Sequence, residues 1–179
     1  MTLTLITGGA RSGKSSAAVE LARGWGDRVT FIATAEPLDE AMTRRIERHR
    51  RDRPPSWEVI EEPLHLGQAV DLAPREHCLV IDCLTLWTSN AMAAGITDEQ
   101  IVGGARRCAE LAAARSSPVI VVTNEVGSGI VPANDMARRY RDVLGLVNTA
   151  WSRTADAAYL AVAGRLLPLM RTDEAIHVD

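Results

Sequence analysis

Cysteine is scarce in this chain, and its few cysteines do not fit the structural roles that cysteines usually serve. Cys78, Cys83 and Cys108 form an odd set without a Cys-x-x-Cys pair. The sequence therefore indicates neither a disulfide framework nor a zinc site, and a reducing cytoplasm is the expected compartment. No apolar run approaches the roughly 18 residues of a membrane span, and the N-terminal MTLTLITGG has no basic leader. We expect a protein that is neither exported nor membrane-spanning.

Aromatic residues and surplus positive charge are also lacking. The 179 residues include four Trp, two Tyr and one Phe, and the formal net charge is −3. An overall basic field for nucleic acid or an anionic membrane is thus excluded. Trp87 and Trp151 are expected to pack between helices. With 46% hydrophobic residues, the chain is long enough for one core, and residues 1–179 are predicted to form a single domain.

Short apolar runs alternate with longer segments of helical period. The predicted strands are 3–7, 28–34, 57–61, 78–83, 119–124 and 156–164. The predicted helices are 14–24, 38–52, 83–93, 98–115 and 134–153. Several strand segments are apolar on both faces, which is typical of strands covered by helices on each side. The pattern predicts an α/β domain with a mainly parallel sheet and helices on both faces.

The strongest motif is GGARSGKS, which lies between the first predicted strand and the first predicted helix. Gly8, four further residues, Gly13, Lys14 and Ser15 match the phosphate-binding P-loop pattern. Glycines let the backbone curl so that N–H groups point at phosphate oxygens, and the helix N-terminus adds its positive dipole end. Lys14 is expected to bridge the β- and γ-phosphates, and Ser15 to offer its hydroxyl to Mg²⁺. The alternative is a glycine-rich turn with a structural lysine.

Asp82 stands at the end of the apolar strand CLVIDC. An acidic residue in this position commonly supplies a second contact to the metal ion of a P-loop site. A cap on the helix that begins near Leu84 is the alternative role.

The segment RRIERHRRDRPP, residues 44–55, surrounds His49 with six arginines. Met42, Ile46 and His49 are spaced four and three apart, so they share one helical face, expected to be buried or to face a cleft. Arg44, Arg45, Arg48 and Arg51 are expected to point elsewhere. His49 is either a satisfied core residue or a nucleophile toward phosphorus, with arginines that neutralise the charge of the nucleotide.

Together these motifs resemble one family, the bifunctional adenosylcobinamide kinase/adenosylcobinamide-phosphate guanylyltransferases of cobalamin biosynthesis. The resemblance runs through residues 6–15, 32–63, 82–90 and 122–148 and extends to about Leu169. It implies a three-layer, RecA-like P-loop NTPase fold and two reactions, phosphorylation of adenosylcobinamide by ATP or GTP and transfer of GMP from GTP to the phosphorylated product. It also implies a GMP-histidine intermediate at His49. Residues 171–179, including His177, lie outside the resemblance.

The resemblance further implies a set of site residues and a homotrimer, and the net charge argues against a nucleic acid partner. Catalysis falls to His49 and Lys14, with Mg²⁺ on Ser15 and Asp82. The implied nucleotide contacts are Gly8, Gly9, Ala10, Arg11, Ser12, Gly13, Lys14, Ser15, Ser16, Ala33, Thr34, Ala35, Arg50, Arg51, Asp52, Arg53, Glu61 and Asp82. Relatives can carry Glu in place of Asp82, so metal contact through water is as plausible as direct contact.

Glu61 is the candidate for selecting guanine, because one carboxylate can accept both the N1–H and the N2–H of that base. Glu62 could take its place, and an exposed acid at a strand end is the alternative. Asn124 and Glu125 either position the corrinoid substrate, adenosylcobinamide, or its attacking hydroxyl, or they only hold their loop. The site of the corrinoid and the preferred phosphate donor stay open.

Two rival functions remain at this point. One is a monofunctional kinase with a structural His49, and the other is a nucleotide-dependent module that binds nucleic acid through the arginines of residues 44–53. The acidic net charge and the absence of aromatic residues among these arginines count against the second.

Overall fold

Buried strands and amphipathic helices alternate along the chain, as the apolar pattern predicts. A computed structural model describes residues 2–175, so His177 lies outside the described residues. The strands are β1 Leu3–Gly8, β2 Val29–Ala33, β3 Glu58–Glu61, β4 Cys78–Asp82, β5 Val119–Val122, β6 Ala157–Val162 and β7 Arg165–Leu169. The helices are α1 Lys14–Arg23, α2 Glu40–Arg51, α3 Leu66–Leu72, α4 Leu84–Ala93, α5 Asp98–Ala113, α6 Asp135–Thr154 and α7 Thr172–Ala175.

The strands form one seven-stranded sheet in the order β3-β2-β4-β5-β1-β6-β7. All neighbouring pairs are parallel except β6 and β7. Because parallel strands end at the same edge, the residues that follow β1, β2, β4 and β5 meet there, where ligands bind in open α/β sheets. β5 lies between β1 and β4, so whatever follows β5 stands between the P-loop and Asp82.

The apolar core has two parts, one on each face of the sheet. Alternate residues of β4 divide between them: Leu79 and Ile81 face α3, α4, α5 and α6, whereas Cys78 and Val80 face α1. Such strands bury both faces, which explains their continuous apolar sequence. Trp87 and Trp151 are 5% and 0% exposed and belong to the first part, so the predicted packing role is confirmed. No helix of the described chain is long and apolar enough to cross a membrane.

Three elements beyond residue 60, α3, β7 and α7, were not predicted. α3 is short, and its N-cap residue His65 makes no side-chain cap hydrogen bond, so no standard signal marks its start. The Glu62 carboxylate accepts the amides of Leu64 and His65 at 2.9 and 2.8 Å in the turn before the helix.

The predicted strand 156–164 contains β6 and the turn after it, in which Ala163 and Gly164 have φ of 50° and 76°. The antiparallel partner β7 follows at Arg165–Leu169, beyond the predicted segment. The turn has Ala-Gly where such hairpins usually have Asn-Gly. Because alanine is rare at positive φ, nothing in the sequence marked this turn.

Candidate active site

Steric contacts behind the P-loop require its two motif glycines. Gly8 and Gly13 have φ of 153° and 96°. A Cβ on Gly8 would lie 2.4 Å from the Ala161 carbonyl oxygen, and one on Gly13 would lie 3.1 Å from Cα of Gly164. The amide of Gly164 also donates to the Ser12 carbonyl at 2.9 Å. The β6–β7 hairpin therefore supports the loop from behind and excludes side chains at both positions.

Lys14 is the first residue of α1 and lies at the end of the P-loop. Its Nζ donates to the Gly9 carbonyl at 2.7 Å and lies 3.5 Å from Ser12 Oγ. Burial lowers the pKa of Lys14, while the nearby Cys83 and Asp82 act in the opposite direction. A partly desolvated ammonium group in this position attracts an anion more strongly than an exposed one does.

A cavity of about 670 Å³ opens in front of the P-loop. We call it the phosphate cavity. Its lining is rich in loop amides, hydroxyls and basic side chains: Ala10, Arg11, Ser12, Gly13, Lys14, Ser15, Ser16, Ala41, Arg44, Arg45, Arg48, His49, Asp52, Asp82, Cys83, Val122 and Asn124. The expectation that Arg44, Arg45 and Arg48 point away from the cleft is wrong. α2 stands between two cavities, so two of its faces border the site.

The second cavity, of about 280 Å³, lies on the other side of α2 and is mostly apolar. We call it the apolar cavity. Its lining is Phe31, Ala33, Ala35, Pro37, Met42, Thr43, Arg45, Ile46, Glu47, His49, Arg50, Arg53, Glu61, Asp82, Cys83 and Leu86. Met42, Ile46 and His49 all line it, which confirms that they share a cleft-facing helical surface. Arg45, His49, Asp82 and Cys83 border both cavities.

His49 faces Asp82 at the boundary between the cavities. Its Nδ1 lies 3.3 Å from Asp82 Oδ2, and the side chains are 28% and 9% exposed. The carboxylate is therefore nearly enclosed, whereas part of the imidazole stays accessible. A carboxylate beside Nδ1 favours the tautomer protonated there and leaves Nε2 with the free lone pair.

Arg53 forms part of the wall of the apolar cavity. Its guanidinium carbon lies 4.1 Å from the centroid of the Phe31 ring. The residue is 9% exposed, and its buried Nη1 has no hydrogen-bond partner among the described residues. Burial lowers the pKa of Arg53, and the charges of Asp82 and Glu61 partly offset this effect. A buried cation with an unused donor is costly alone, so it suits an anionic or carbonyl-bearing ligand.

The chain matches a known family over most of its length. The family model described as cobinamide kinase / cobinamide phosphate guanyltransferase covers residues 4–169. The chain belongs to this family. The bifunctional adenosylcobalamin biosynthesis protein CobP of Pseudomonas aeruginosa is 41% identical over 167 residues, 92% of this chain and 95% of the relative. The CobU protein of the same description from Escherichia coli is 36% identical over 183 residues, 90% and 96% of the two chains.

Membership of the cobinamide kinase / cobinamide phosphate guanyltransferase family confirms the predicted enzyme class, a kinase and guanylyltransferase of cobalamin biosynthesis. Among solved structures, a prototypical ATPase from the type III secretion system of pathogenic bacteria gives a TM-score of 0.58 at 13% identity. The match covers 97% of this chain and 60% of that one. A likeness at this identity concerns the fold alone, and it confirms the predicted RecA-like P-loop architecture.

The family resemblance assigns the Ala33–Ala35 segment to the nucleotide. In the structure its residues occupy two different environments. Ala33 and Ala35 line the apolar cavity. Thr34 is fully buried; its hydroxyl donates to the Cys83 carbonyl at 2.7 Å and accepts from the Cys83 amide at 2.8 Å. The Asn90 side chain donates to the Thr34 carbonyl at 2.8 Å. Thr34 thus holds the backbone directly after Asp82 in place.

The other residues assigned by the family resemblance are distributed unequally. Arg50 and Glu61 form an ion pair in the wall of the apolar cavity, and Asp52 borders the phosphate cavity. Arg51 lines neither cavity, and its Nε contacts the Glu47 carbonyl at 3.4 Å. Its nucleotide contact therefore stays a prediction without a position in the site.

The carboxylates of Glu62 and Glu125 both accept backbone amides. Burial of the Glu62 carboxylate raises its pKa, but the amides of His65 and Leu64 outweigh this effect, so the pKa is lowered overall. The Glu125 carboxylate accepts the amide of Gly127, and the Glu125 amide donates to the Gly8 carbonyl at 3.1 Å. Glu61 is therefore the acid of its pair that faces the cavity, and Glu125 holds its own loop.

Proposed function

We propose that this enzyme phosphorylates adenosylcobinamide with ATP or GTP and then transfers GMP from GTP to the phosphorylated product through a GMP-histidine at His49. The observation that carries the proposal is the position of His49, which borders both the phosphate cavity and the apolar cavity. A nucleotide with its triphosphate in the first and its base in the second brings its α-phosphate to this imidazole. Proximity of this kind supplies much of the rate of a displacement.

The guanylyl transfer divides into two displacements. In the first, Nε2 of His49 attacks the α-phosphorus of GTP, the N–P bond forms, and the bond from phosphorus to the β-phosphate oxygen breaks, so pyrophosphate leaves. In the second, a phosphate oxygen of adenosylcobinamide phosphate attacks the same phosphorus and the N–P bond breaks. Asp82, 3.3 Å from Nδ1, stabilises the positive charge that the imidazole carries in between.

The kinase reaction needs positioning and charge neutralisation rather than covalent chemistry. We propose that the loop from Gly8 to Ser16 binds the phosphates, with Lys14 on the β- and γ-phosphates. Ser15 and Asp82 border the same cavity, and a hydroxyl with a carboxylate is an oxygen donor set that suits Mg²⁺. When bound there, the ion neutralises charge on the phosphates.

Base selection is assigned to Glu61. Arg50 contacts its Oε1, and the pair stands in the wall of the apolar cavity together with Ala33, Ala35 and Arg53. A carboxylate held by an arginine has a defined direction, and its remaining lone pairs accept the N1–H and N2–H of guanine, which adenine does not offer. Arg53, with its unused Nη1, suits the guanine carbonyl or the α-phosphate.

The test is incubation with α-³²P-labelled GTP and Mg²⁺, without corrinoid, followed by denaturing electrophoresis. We expect an acid-labile, base-stable label on the wild type and on the control His65→Ala, whose histidine is exposed. His49→Ala should stay unlabelled while keeping measurable kinase activity, because γ-phosphoryl transfer needs no imidazole nucleophile. An unlabelled wild type that binds GTP would leave a monofunctional kinase as the function.

We also propose, from the family resemblance, that the enzyme is a homotrimer and works in the cytoplasm. Exposed apolar side chains in and beside the loop before α6, including Ile130 at 97% and Met136 at 74% exposure, are suited to a subunit contact. The three cysteines are free thiols, in keeping with a reducing compartment. Light scattering should give three times the 19.4 kDa chain mass, and a monomeric mass would refute the trimer.

A further inference from the structure

Asn124 stands between the P-loop and Asp82. It follows β5, the strand that separates β1 from β4, and it lines the phosphate cavity together with Lys14 and Asp82. Asn124 therefore lies near the two groups that the proposed function assigns to the β- and γ-phosphates and their metal ion, Lys14 and Asp82.

The backbone of Asn124 is held on both sides. Its amide donates to Thr85 Oγ1 at 2.8 Å, and its carbonyl accepts from Asn148 Nδ2 at 2.9 Å. By contrast, its side-chain amide makes no hydrogen bond within residues 2–175. The backbone of Asn124 is thus fixed, and its side-chain amide has donor and acceptor capacity left for a ligand.

The groups that hold Asn124 belong to a buried polar network. Thr123 is fully buried and donates to Asn148 Oδ1 at 2.6 Å. Thr85 is 7% exposed, and its carbonyl accepts the hydroxyl of Tyr140 at 3.2 Å. Polar groups in a core cost desolvation free energy that apolar residues of similar size would avoid. The network fixes the backbone of Asn124 beside the phosphate cavity, and this positioning is a functional reason for burying polar groups there.

We propose that the Asn124 amide donates a hydrogen bond to the γ-phosphoryl group while it is transferred, and that Asn148 is its positioning residue. The inference rests on the proposed kinase reaction. There, the substrate hydroxyl oxygen attacks the γ-phosphorus, the new O–P bond forms, the bond to the β,γ-bridging oxygen breaks, and the nucleoside diphosphate leaves. The hydroxyl proton passes to solvent. The Asn124 N–H stabilises the negative charge on an equatorial oxygen of the moving group, as an oxyanion-hole donor does.

The two reactions use this contact differently. In guanylyl transfer the bond breaks at the α-phosphorus, and the γ-phosphate leaves unchanged within pyrophosphate. A donor to the γ-phosphate then binds ground state and transition state equally and affects KM rather than kcat. Replacing Asn124 should therefore impair the kinase reaction and spare guanylyl transfer, whereas replacing His49 should do the reverse.

The experiment measures kcat and KM for GTP in the kinase reaction, with adenosylcobinamide as acceptor, and the single-turnover rate constant of self-guanylylation at saturating GTP. Asn124→Ala should lower the kinase kcat by about 100-fold and change the self-guanylylation rate constant by less than threefold. The control Thr149→Ala, beside Asn148 and bonded only to its own helix at Gly145, should match the wild type. A kinase kcat within threefold of wild type, or an equal fall of both reactions, would overturn the proposal. A wild type without kinase activity would instead refute the proposed function.

Asn148→Asp tests the positioning role and, because the two side chains have nearly the same volume, leaves no empty space in the core. It keeps the acceptor for the Thr123 hydroxyl and loses the donor to the Asn124 carbonyl. We expect a kinase kcat roughly tenfold lower, an unchanged KM for GTP and unchanged self-guanylylation. A loss of thermal stability with equal loss of both activities would mean that Asn148 is only structural, and an unchanged kinase kcat would also refute its role.

Discussion

Lys14 is the only lysine among the 20 lysines and arginines of the chain. The surrounding basic groups of the phosphate cavity are all arginines, including Arg44, Arg45 and Arg48. An ammonium group is a compact point charge with three donors, whereas a guanidinium is a planar fork that reaches two oxygens at once. At the scale of the residue, the arginines therefore cannot take over the contact that Lys14 makes inside the narrow P-loop.

Lys14→Ala should reduce both reactions by roughly 100-fold or more in kcat/KM, because both bind the same triphosphate. Lys14→Arg should restore little activity, since the larger fork does not fit between Gly9 and Ser12. The measurements are steady-state kinetics of the kinase and single-turnover kinetics of self-guanylylation on correctly folded variants. If only one of the two reactions fell, the P-loop would serve that reaction alone.

Some residues of the site were predictable from the local sequence, and others were not. Lys14, Ser15 and Asp82 were found because their motif and strand-end positions are local. His49 was marked by its helical spacing and by the family resemblance. The stacking of Arg53 on Phe31 was not predicted, because it joins residues 22 positions apart whose meeting depends on how α2 and β2 pack.

At the scale of the element, α2 differs from the helices of the core. It has no buried residue, whereas α5 buries six. Both helices have an N-terminal side-chain cap: Asp39 accepts the amide of Met42, and Thr97 accepts that of Gln100. Because helix stability in proteins comes mainly from packing, α2 depends on its cap more than α5 does. The helix that carries His49 is thus more easily opened than α5.

Asp39→Ala should make the amides of residues 43–51 exchange with deuterium about fivefold faster, since the lost cap costs about 1 kcal/mol of local opening free energy. The matched variant Thr97→Ala should leave α2 exchange unchanged and lower Tm by roughly 2–4 °C. Both are read by hydrogen exchange and thermal unfolding. Wild-type α2 amides that exchange as slowly as those of α5 would contradict the prediction.

At the scale of the whole molecule, three thiols are buried on both sides of the sheet. Cys78 and Cys83 belong to one core part and Cys108 to the other. Burial raises the pKa of each from 9.0 to about 11. Above pH 9 the unfolded chain releases thiol protons that the folded chain retains, so alkaline solution favours unfolding.

The free energy of unfolding should therefore be steady from pH 7 to about 8.5 and fall between pH 9 and 11. Each thiol adds up to about 1.4 kcal/mol per pH unit to this slope. Urea unfolding at a series of pH values measures it. Cys108→Ala should be less steep than the wild type by up to that amount. Equal slopes for the two proteins would show that the Cys108 thiol does not titrate as expected.

The sequence by itself determined the P-loop, the order of the strands from β1 to β6 along the chain, the helical face of His49 and the family. These depend on sterics and periodicity within short segments, which neighbours in the chain decide. Only the tertiary structure decided that α2 separates two cavities, that the β6–β7 hairpin supports the P-loop, and that Asn148 holds Asn124. These contacts join distant segments, and their geometry arises from the packing of helices on both faces of one sheet.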